Sequence, residues 1–250
     1  MRNLHENDKF VLKRAWNCFN KEYKMNKLIG NCVDFFAACG FQYAICAGYA
    51  LELFSNMYIR PHSDIDVWIA KSDKEKALRY VFDRGFVLYE NMGKSVFRLL
   101  ENPYKQCAER FSIQAVKPDS SFIRFEKKDD GNYKLQLLKP EQTEFDFLDM
   151  MFNPQKDNRF IFEQNQNISR EIEKALLYTS EKIPYMAPEV VLFCKSIYID
   201  REGYQKDFDV TIPLLSQEQI SWLLEALVTA YPDGHKWVDS LSVNNKENDN

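Results

Sequence analysis

No apolar run in this sequence approaches the roughly 20 residues that span a bilayer; the longest, 45–53 and 188–194, stop well short. A membrane-spanning helix is therefore not expected. The start of the chain, Met1-Arg2-Asn3-Leu4-His5-Glu6-Asn7-Asp8-Lys9, lacks the basic head and apolar centre of a secretory signal, so the expected location is cytoplasmic. Glycine and proline are scarce, 8 and 9 in 250 residues, which excludes collagenous and low-complexity chains. None of the six cysteines (Cys18, Cys32, Cys39, Cys46, Cys107, Cys194) stands in C-x₂-C spacing, so they read as reduced core thiols and not as a zinc site or a disulfide framework. Positive charge is not in excess either. Lys+Arg 33 against Asp+Glu 37 leaves a formal −4, which argues against a nucleic-acid coat or a polybasic membrane patch.

What is present is apolar and aromatic: 45% hydrophobic, with 19 Phe and 13 Tyr, enough for one large domain or two small ones. Apolar positions at helical spacing (Phe10, Val11, Leu12, Ala15, Trp16, Phe19, then Leu28, Ile29, Cys32, Val33, Phe36) predict two leading helices, with Gly40 as a stop. A buried strand follows at 43–47, then Gly48 and a helix over 49–54. A second strand over 64–69 precedes a helix capped by Ser72 and ended by Gly85. From 86 to 152 short alternating runs predict sheet, with Asp129-Asp130-Gly131-Asn132 as a hairpin signal. After an irregular polar stretch, helices are expected at 187–199, 216–230 and 235–241. The predicted class is α+β: a mixed β-sheet flanked by helices over 1–165, a mostly helical subdomain over 166–243, and a disordered tail at 244–250.

The chemistry concentrates in Ala47-Gly48 and in Arg60-Pro61-His62-Ser63-Asp64-Ile65-Asp66-Val67. Residues i and i+2 of a strand share a face, so Asp64 and Asp66 present two carboxylates together while Ile65 and Val67 face the core. Like charges so placed repel, and a hard divalent cation such as Mg²⁺ compensates them. A strand running into a glycine and a helix sets backbone N–H groups where an anionic phosphate is favoured. Such a site needs a third acid from a neighbouring strand. Asp146 in Thr143-Glu144-Phe145-Asp146-Phe147-Leu148-Asp149 is the first choice, with Glu144 and Asp149 as alternatives.

These residues, with Cys46-Ala47-Gly48-Tyr49-Ala50-Leu51-Glu52-Leu53-Phe54, resemble the antibiotic-modifying branch of the nucleotidyltransferase superfamily, the aminoglycoside 2''-adenylyltransferases and lincosamide nucleotidyltransferases. A second block, Ile183-Pro184-Tyr185-Met186-Ala187-Pro188-Glu189-Val190-Val191-Leu192-Phe193-Cys194-Lys195, resembles that family's turn and lysine-bearing helix, and Asp207-Phe208, Ile212-Pro213-Leu214-Leu215, Trp222-Leu223 and Tyr231-Pro232 continue the likeness over most of 40–241. The resemblance implies transfer of a nucleoside monophosphate, AMP from ATP, to a hydroxyl of a small molecule such as an aminoglycoside or lincosamide. It implies that Asp64 and Asp66 hold Mg²⁺, that Asp146 holds the metal or acts as general base toward the acceptor hydroxyl, that Gly48 admits the phosphates, that Lys195 contacts the nucleotide, and that Arg60 and His62 contact phosphate or support the loop. The chain departs from the family at Ala47, where a glycine pair is usual, and at Gly203-Tyr204, where the family has Lys-Asp unless a small shift brings Lys206-Asp207 into that place. Ala47 motivates a second reading, a nucleotide-binding regulatory or interaction module of the same fold with weak or no transfer. Glu189 has a bland reading too, as an acid complementing its helix dipole.

Overall fold

The computed structural model describes residues 26–247, with side chains through Leu241. The predicted helix built on Phe10 to Phe19 lies outside the described residues. Helix α1 (Lys27–Phe36) begins at Asn26, whose side chain accepts from the Leu28 N–H at 2.8 Å. Strand β1 (Tyr43–Ile45) leads into α2 (Ala47–Ser55), and β2 (Asp66–Ala70) into α3 (Lys74–Phe82). The capping role expected of Ser72 goes instead to a 3₁₀ turn, Lys71–Asp73, that opens α3. Gly85 ends the segment at φ +81.

The alternating runs form β3 (Val87–Gly93), β4 (Val96–Leu100), β5 (Ser112–Val116), β6 (Ile123–Lys127), β7 (Tyr133–Leu137) and β8 (Phe147–Asn153). Gly131 takes φ +82 in the expected hairpin, which the Lys128 N–H closes onto the Asn132 carbonyl at 2.8 Å. The stretch that reads as irregular is built of short strands: β9 (Gln155–Lys156), β10 (Arg159–Ile161) and β11 (Ser169–Glu171) pair as a small sheet, and β12 (Leu176–Tyr178) and β13 (Pro184–Met186) join the large one. Helices α4 (Pro188–Ser196), α5 (Tyr204–Thr211), α6 (Gln217–Ala230) and α7 (Lys236–Glu247) complete the chain. Ser216 and Gln219 form a reciprocal capping box at the start of α6. Helix α7 runs four residues into the stretch 244–250.

The large sheet is mixed, in the order β12-β13-β1-β2-β8-β5-β3-β4-β7-β6, and helices flank it as the predicted α+β class requires. Its centre is apolar on both faces: Val67, Trp68, Ile69, Leu148, Met150 and Phe152 are fully buried. A smaller aromatic cluster lies under the β3-β4-β7-β6 half, where Tyr89 and Phe125 stack at 3.9 Å. Two parallel pairings fix the functional region. β1 lies beside β13 with Ile45 opposite Tyr185, and β2 lies beside β8 with Asp66 opposite Asp149. Helix α2 packs on α4 and α5, which brings the helical end of the chain over the start of β2. Of the cysteines among the described residues, Cys32, Cys39 and Cys46 are buried free thiols, whereas Cys107 is exposed and corrects the expectation that it is a core thiol. Among the described residues no helix is long and apolar enough to cross a membrane.

Candidate active site

A cavity of about 1010 Å³ opens where the start of β2 meets α2, α4 and α5. Asp66 enters it from the first residue of β2, and Asp64 from the bend just before, so the strand begins two residues later than the alternation predicts. Asp149 joins them from β8. Its place follows from the register, because directly opposed residues of adjacent strands project to the same face of the sheet.

The carboxylate that lines the cavity beside Asp64 and Asp66 is that of Asp149, and the structure places Asp146, the first choice from the sequence, outside it. The physical reason is where β8 starts. Asp146 lies one residue before the strand, buried, and its carboxylate accepts from the Ser121 N–H at 3.1 Å, away from the cavity. Glu144 is exposed and reaches Lys27 at 3.3 Å, also outside. On β8, Phe147, Asp149 and Met151 share one face, and only Asp149 of the three candidates lies among the cavity residues.

Burial first, and then the charges of Asp64 and Asp149, push the Asp66 carboxyl well above the usual carboxylate range. The Asp149 carboxyl is pushed up to about 7 by burial and by Asp64. Ser112 Oγ at 3.1 Å and Gln114 Nε2 at 3.3 Å donate to Asp149 and oppose that rise. Asp64 accepts from Ser63 Oγ at 2.8 Å. Among the described residues no group of three or more His, Cys, Asp and Glu forms a metal cage by itself. The donor set nevertheless fits Mg²⁺, which takes one or two carboxylates and completes its shell with waters and substrate phosphates.

One wall of the cavity is the start of α2. Cys46 makes no side-chain cap there, and Ala47 and Gly48 line the space. Gly48 lines the cavity, and its missing side chain has a steric consequence beside that. A Cβ at this position would lie 2.2 Å from both Cε1 and Nδ1 of His62, so the bare Cα makes room for the imidazole. That ring packs against Tyr49 with centroids 4.6 Å apart. Its Nε2 lies 3.1 Å from Glu52 Oε1 without hydrogen-bond geometry. The same Glu52 oxygen accepts from the Ile59 N–H at 2.9 Å and ties the loop 59–62 to α2.

Ala47 stands at φ +52, in the left-handed region that costs an L-residue about 1–2 kcal/mol. Glycine removes this strain but loses about 0.5–1 kcal/mol of chain entropy. Ala47→Gly is therefore expected to stabilise the protein by about 0.5–1 kcal/mol. Chemical denaturation checks this; a loss of stability would contradict the strain.

A second wall is cationic. Arg60, Lys195, Arg201 and Lys206 line it. Arg60 donates to both oxygens of the fully buried Asp207, Nε to Oδ1 and Nη2 to Oδ2, each at 2.8 Å. Lys195 Nζ lies 2.9 Å from Asp207 Oδ2 and 4.1 Å from the centre of the Tyr204 ring. Burial lowers the Lys195 pKa, and Asp207 works against that shift. Burial likewise works to raise the Asp207 carboxyl, but Arg60 and Lys195 together hold it below the usual range.

The cavity thus gathers Gly48, Arg60, His62, Asp64, Asp66 and Lys195 as the sequence suggested, with Asp146 the exception. Sequence reasoning gave no role to Ser112, Gln114, Arg201 or Tyr204, which carry no motif of their own. Glu189 keeps its bland reading: it is fully buried away from the cavity, 2.6 Å from Arg170 and 2.8 Å from Gln219 Nε2.

No protein-family model and no curated protein matches this chain. Among solved structures it is similar to the lincosamide antibiotic adenylyltransferase LnuA in its lincomycin-bound form, at 15% identity and a TM-score of 0.47, covering 76% of this chain and 97% of that one. It is similar to ANT(2'')-Ia in complex with adenylyl-2''-tobramycin at 12% identity and a TM-score of 0.47, over 82% and 97% of the two chains. An antigenic nucleotidyltransferase-like protein from Paracoccidioides brasiliensis is similar at 15% identity and a TM-score of 0.41, over 89% and 93%.

Proposed function

We propose that this chain transfers a nucleoside monophosphate, AMP from ATP, to a hydroxyl of a small molecule. The observation that carries the reading is the charged lining of the cavity: the carboxylates of Asp64, Asp66 and Asp149 share it with the cations Arg60, Lys195, Arg201 and Lys206 and with the acids Glu141 and Glu202. Such a lining suits a triphosphate: the cations would neutralise its oxygens, and the acids would hold the divalent metal it carries. The uncapped N-terminus of α2 adds backbone N–H groups.

Asp64 and Asp66 are the residues that would hold Mg²⁺, and Glu52 ties the loop 59–62 that leads to them to α2. When bound, the metal supplies charge neutralisation at the phosphates and lowers the pKa of the acceptor hydroxyl. Asp149 is the proton acceptor, a half-buried carboxylate oriented by Ser112 and Gln114. The acceptor oxygen bonds to the α-phosphorus, the bond from phosphorus to the leaving pyrophosphate breaks, and the hydroxyl proton passes to Asp149. The cations of the lining stabilise the charge that collects on pyrophosphate. An aminoglycoside or a lincosamide is the acceptor class that the sequence resemblance implies.

The test is pyrophosphate release with Mg²⁺ and each nucleoside triphosphate over a panel of aminoglycosides and lincosamides, with mass spectrometry of the acceptor. A nucleotidyl adduct made by wild type and absent with Asp149→Asn is the expected result. Nucleotide binding without an adduct on any acceptor, unchanged by Ala47→Gly, would instead favour the non-catalytic module, for which strained Ala47 is the specific observation.

A further inference from the structure

Asp207 is the one member of the charged wall that does not itself line the cavity. It lies behind the wall, fully buried in the first turn of α5, while its partners come from distant parts of the chain: Arg60 from the loop before β2 and Lys195 from α4. Two cations share one carboxylate, so the cluster keeps a net positive charge. Lys195 is buried and Arg60 half-buried, Asp66 and Glu52 add weaker support to their charged forms, and the cavity is the side on which both cations can meet a further anion.

The local backbone is shaped for the same contact. Gly203 stands at φ +84 immediately before α5, and a Cβ there would lie 2.8 Å from Arg60 Nε and 2.9 Å from Arg60 Cδ. The glycine leaves the lane through which the guanidinium reaches Asp207. Tyr204 then places its ring under Lys195 Nζ and accepts at its hydroxyl from Arg201 Nη1 at 3.0 Å. Arg60, Lys195 and Arg201 are thereby restrained before any ligand arrives.

We infer that Asp207 is a positioning residue that presets Arg60 and Lys195 as a rigid pair for the phosphate chain of the nucleotide. This rests on the nucleotidyltransferase reading above. Flexible side chains lose conformational entropy when a ligand immobilises them, and a pair already held by a buried carboxylate is spared that loss. The role is specific to phosphate. Loss of Asp207 weakens binding of polyphosphate and leaves the nucleoside part alone.

The experiment is titration calorimetry of wild type and Asp207→Asn with tripolyphosphate and, separately, with adenosine, alongside MgATP. Expected is about tenfold weaker binding of tripolyphosphate and MgATP in the variant, with adenosine changed less than about twofold. Equal tripolyphosphate affinity in both proteins would overturn the positioning role, and so would a parallel loss of adenosine, the signature of a merely structural residue. Wild type that binds neither MgATP nor tripolyphosphate would overturn the nucleotide reading itself, a result the variant plays no part in. Should Asp207→Asn fail to fold, Gly203→Ala carries the test, since its methyl group displaces Arg60 without removing a charge. The same selective loss toward tripolyphosphate is expected there, and its absence in a folded protein would overturn the proposal.

Discussion

Asp66→Asn is expected to remove nucleotidyl transfer by about 10³-fold or more while leaving a folded and, without metal, more stable protein. The loss follows because metal-borne stabilisation of a phosphoryl transition state is worth several kcal/mol, and each 1.4 kcal/mol or so is a factor of ten. The gain in stability follows from the site's own electrostatics. Burial and two neighbouring carboxylates raise the Asp66 pKa, so the ionised form is disfavoured in the folded state. A group with a raised folded pKa gives its full contribution below its unfolded value near 4 and loses it as pH climbs through the folded value. For Asp149 that upper limit is about 7. Unliganded wild type should therefore lose stability as pH rises from about 4 to about 7, and Asp66→Asn should lose less, with no advantage below pH 4 or so. Thermal melting across pH and a pyrophosphate assay at saturating Mg²⁺ measure the two halves. Turnover within a few-fold of wild type would remove Asp66 from the site, and an unchanged pH slope would deny the repulsion.

Gly48→Ala should cost both stability and activity. The added Cβ would come within 2.2 Å of two atoms of the His62 ring, and that ring is only 9% exposed, packed between Tyr49 and Glu52. Overpacking of this kind costs about 1–3 kcal/mol. For a chain of this length that lowers the melting temperature by roughly 2–4 °C per kcal/mol. The displaced ring would also disturb the loop that carries Arg60 and Asp64, so activity should fall together with stability. His62→Ala vacates the space, and a double-mutant cycle should return a coupling energy of about 1–3 kcal/mol between the two positions. Additive effects would mean that the ring and the glycine do not compete for the same volume.

Much of this architecture is legible in the sequence because local chemistry decides it. Alternation marks the strands from 87 to 137, and Asp130-Gly131 marks their hairpin. Ser216 with Gln219 marks the start of α6. The D-x-D pair and Gly48 locate the cavity from the sequence alone. Asp146 was favoured over Asp149 because alternation predicts only which residues share a face. It does not tell which strand will be the neighbour or in what register, and here pairing with β2 decides that Asp149 stands opposite Asp66. The short strands β12 and β13 were missed for a related reason. At three residues each they carry no periodicity, and only pairing with β1 and with each other makes them strands. Gly48 illustrates the same limit at one residue: a glycine was called for, but the sequence could not say that an imidazole from the next loop occupies its open side.

The parallel pairings of β1 with β13 and of β2 with β8 also set the order in which the protein can assemble. Each joins strands far apart in the chain, so their loop-closure entropy must be met before any contact rewards it, and folding of such topologies is slow. During synthesis the apolar edge of β1 waits for residues 184–186 to leave the ribosome. Until then the unpaired edge is a template for other chains. The carboxylate floor comes together only when β8 has docked. The cationic wall is later still, because Lys195 and Asp207 follow β13 in the chain, so the cavity is among the last features a growing chain can complete.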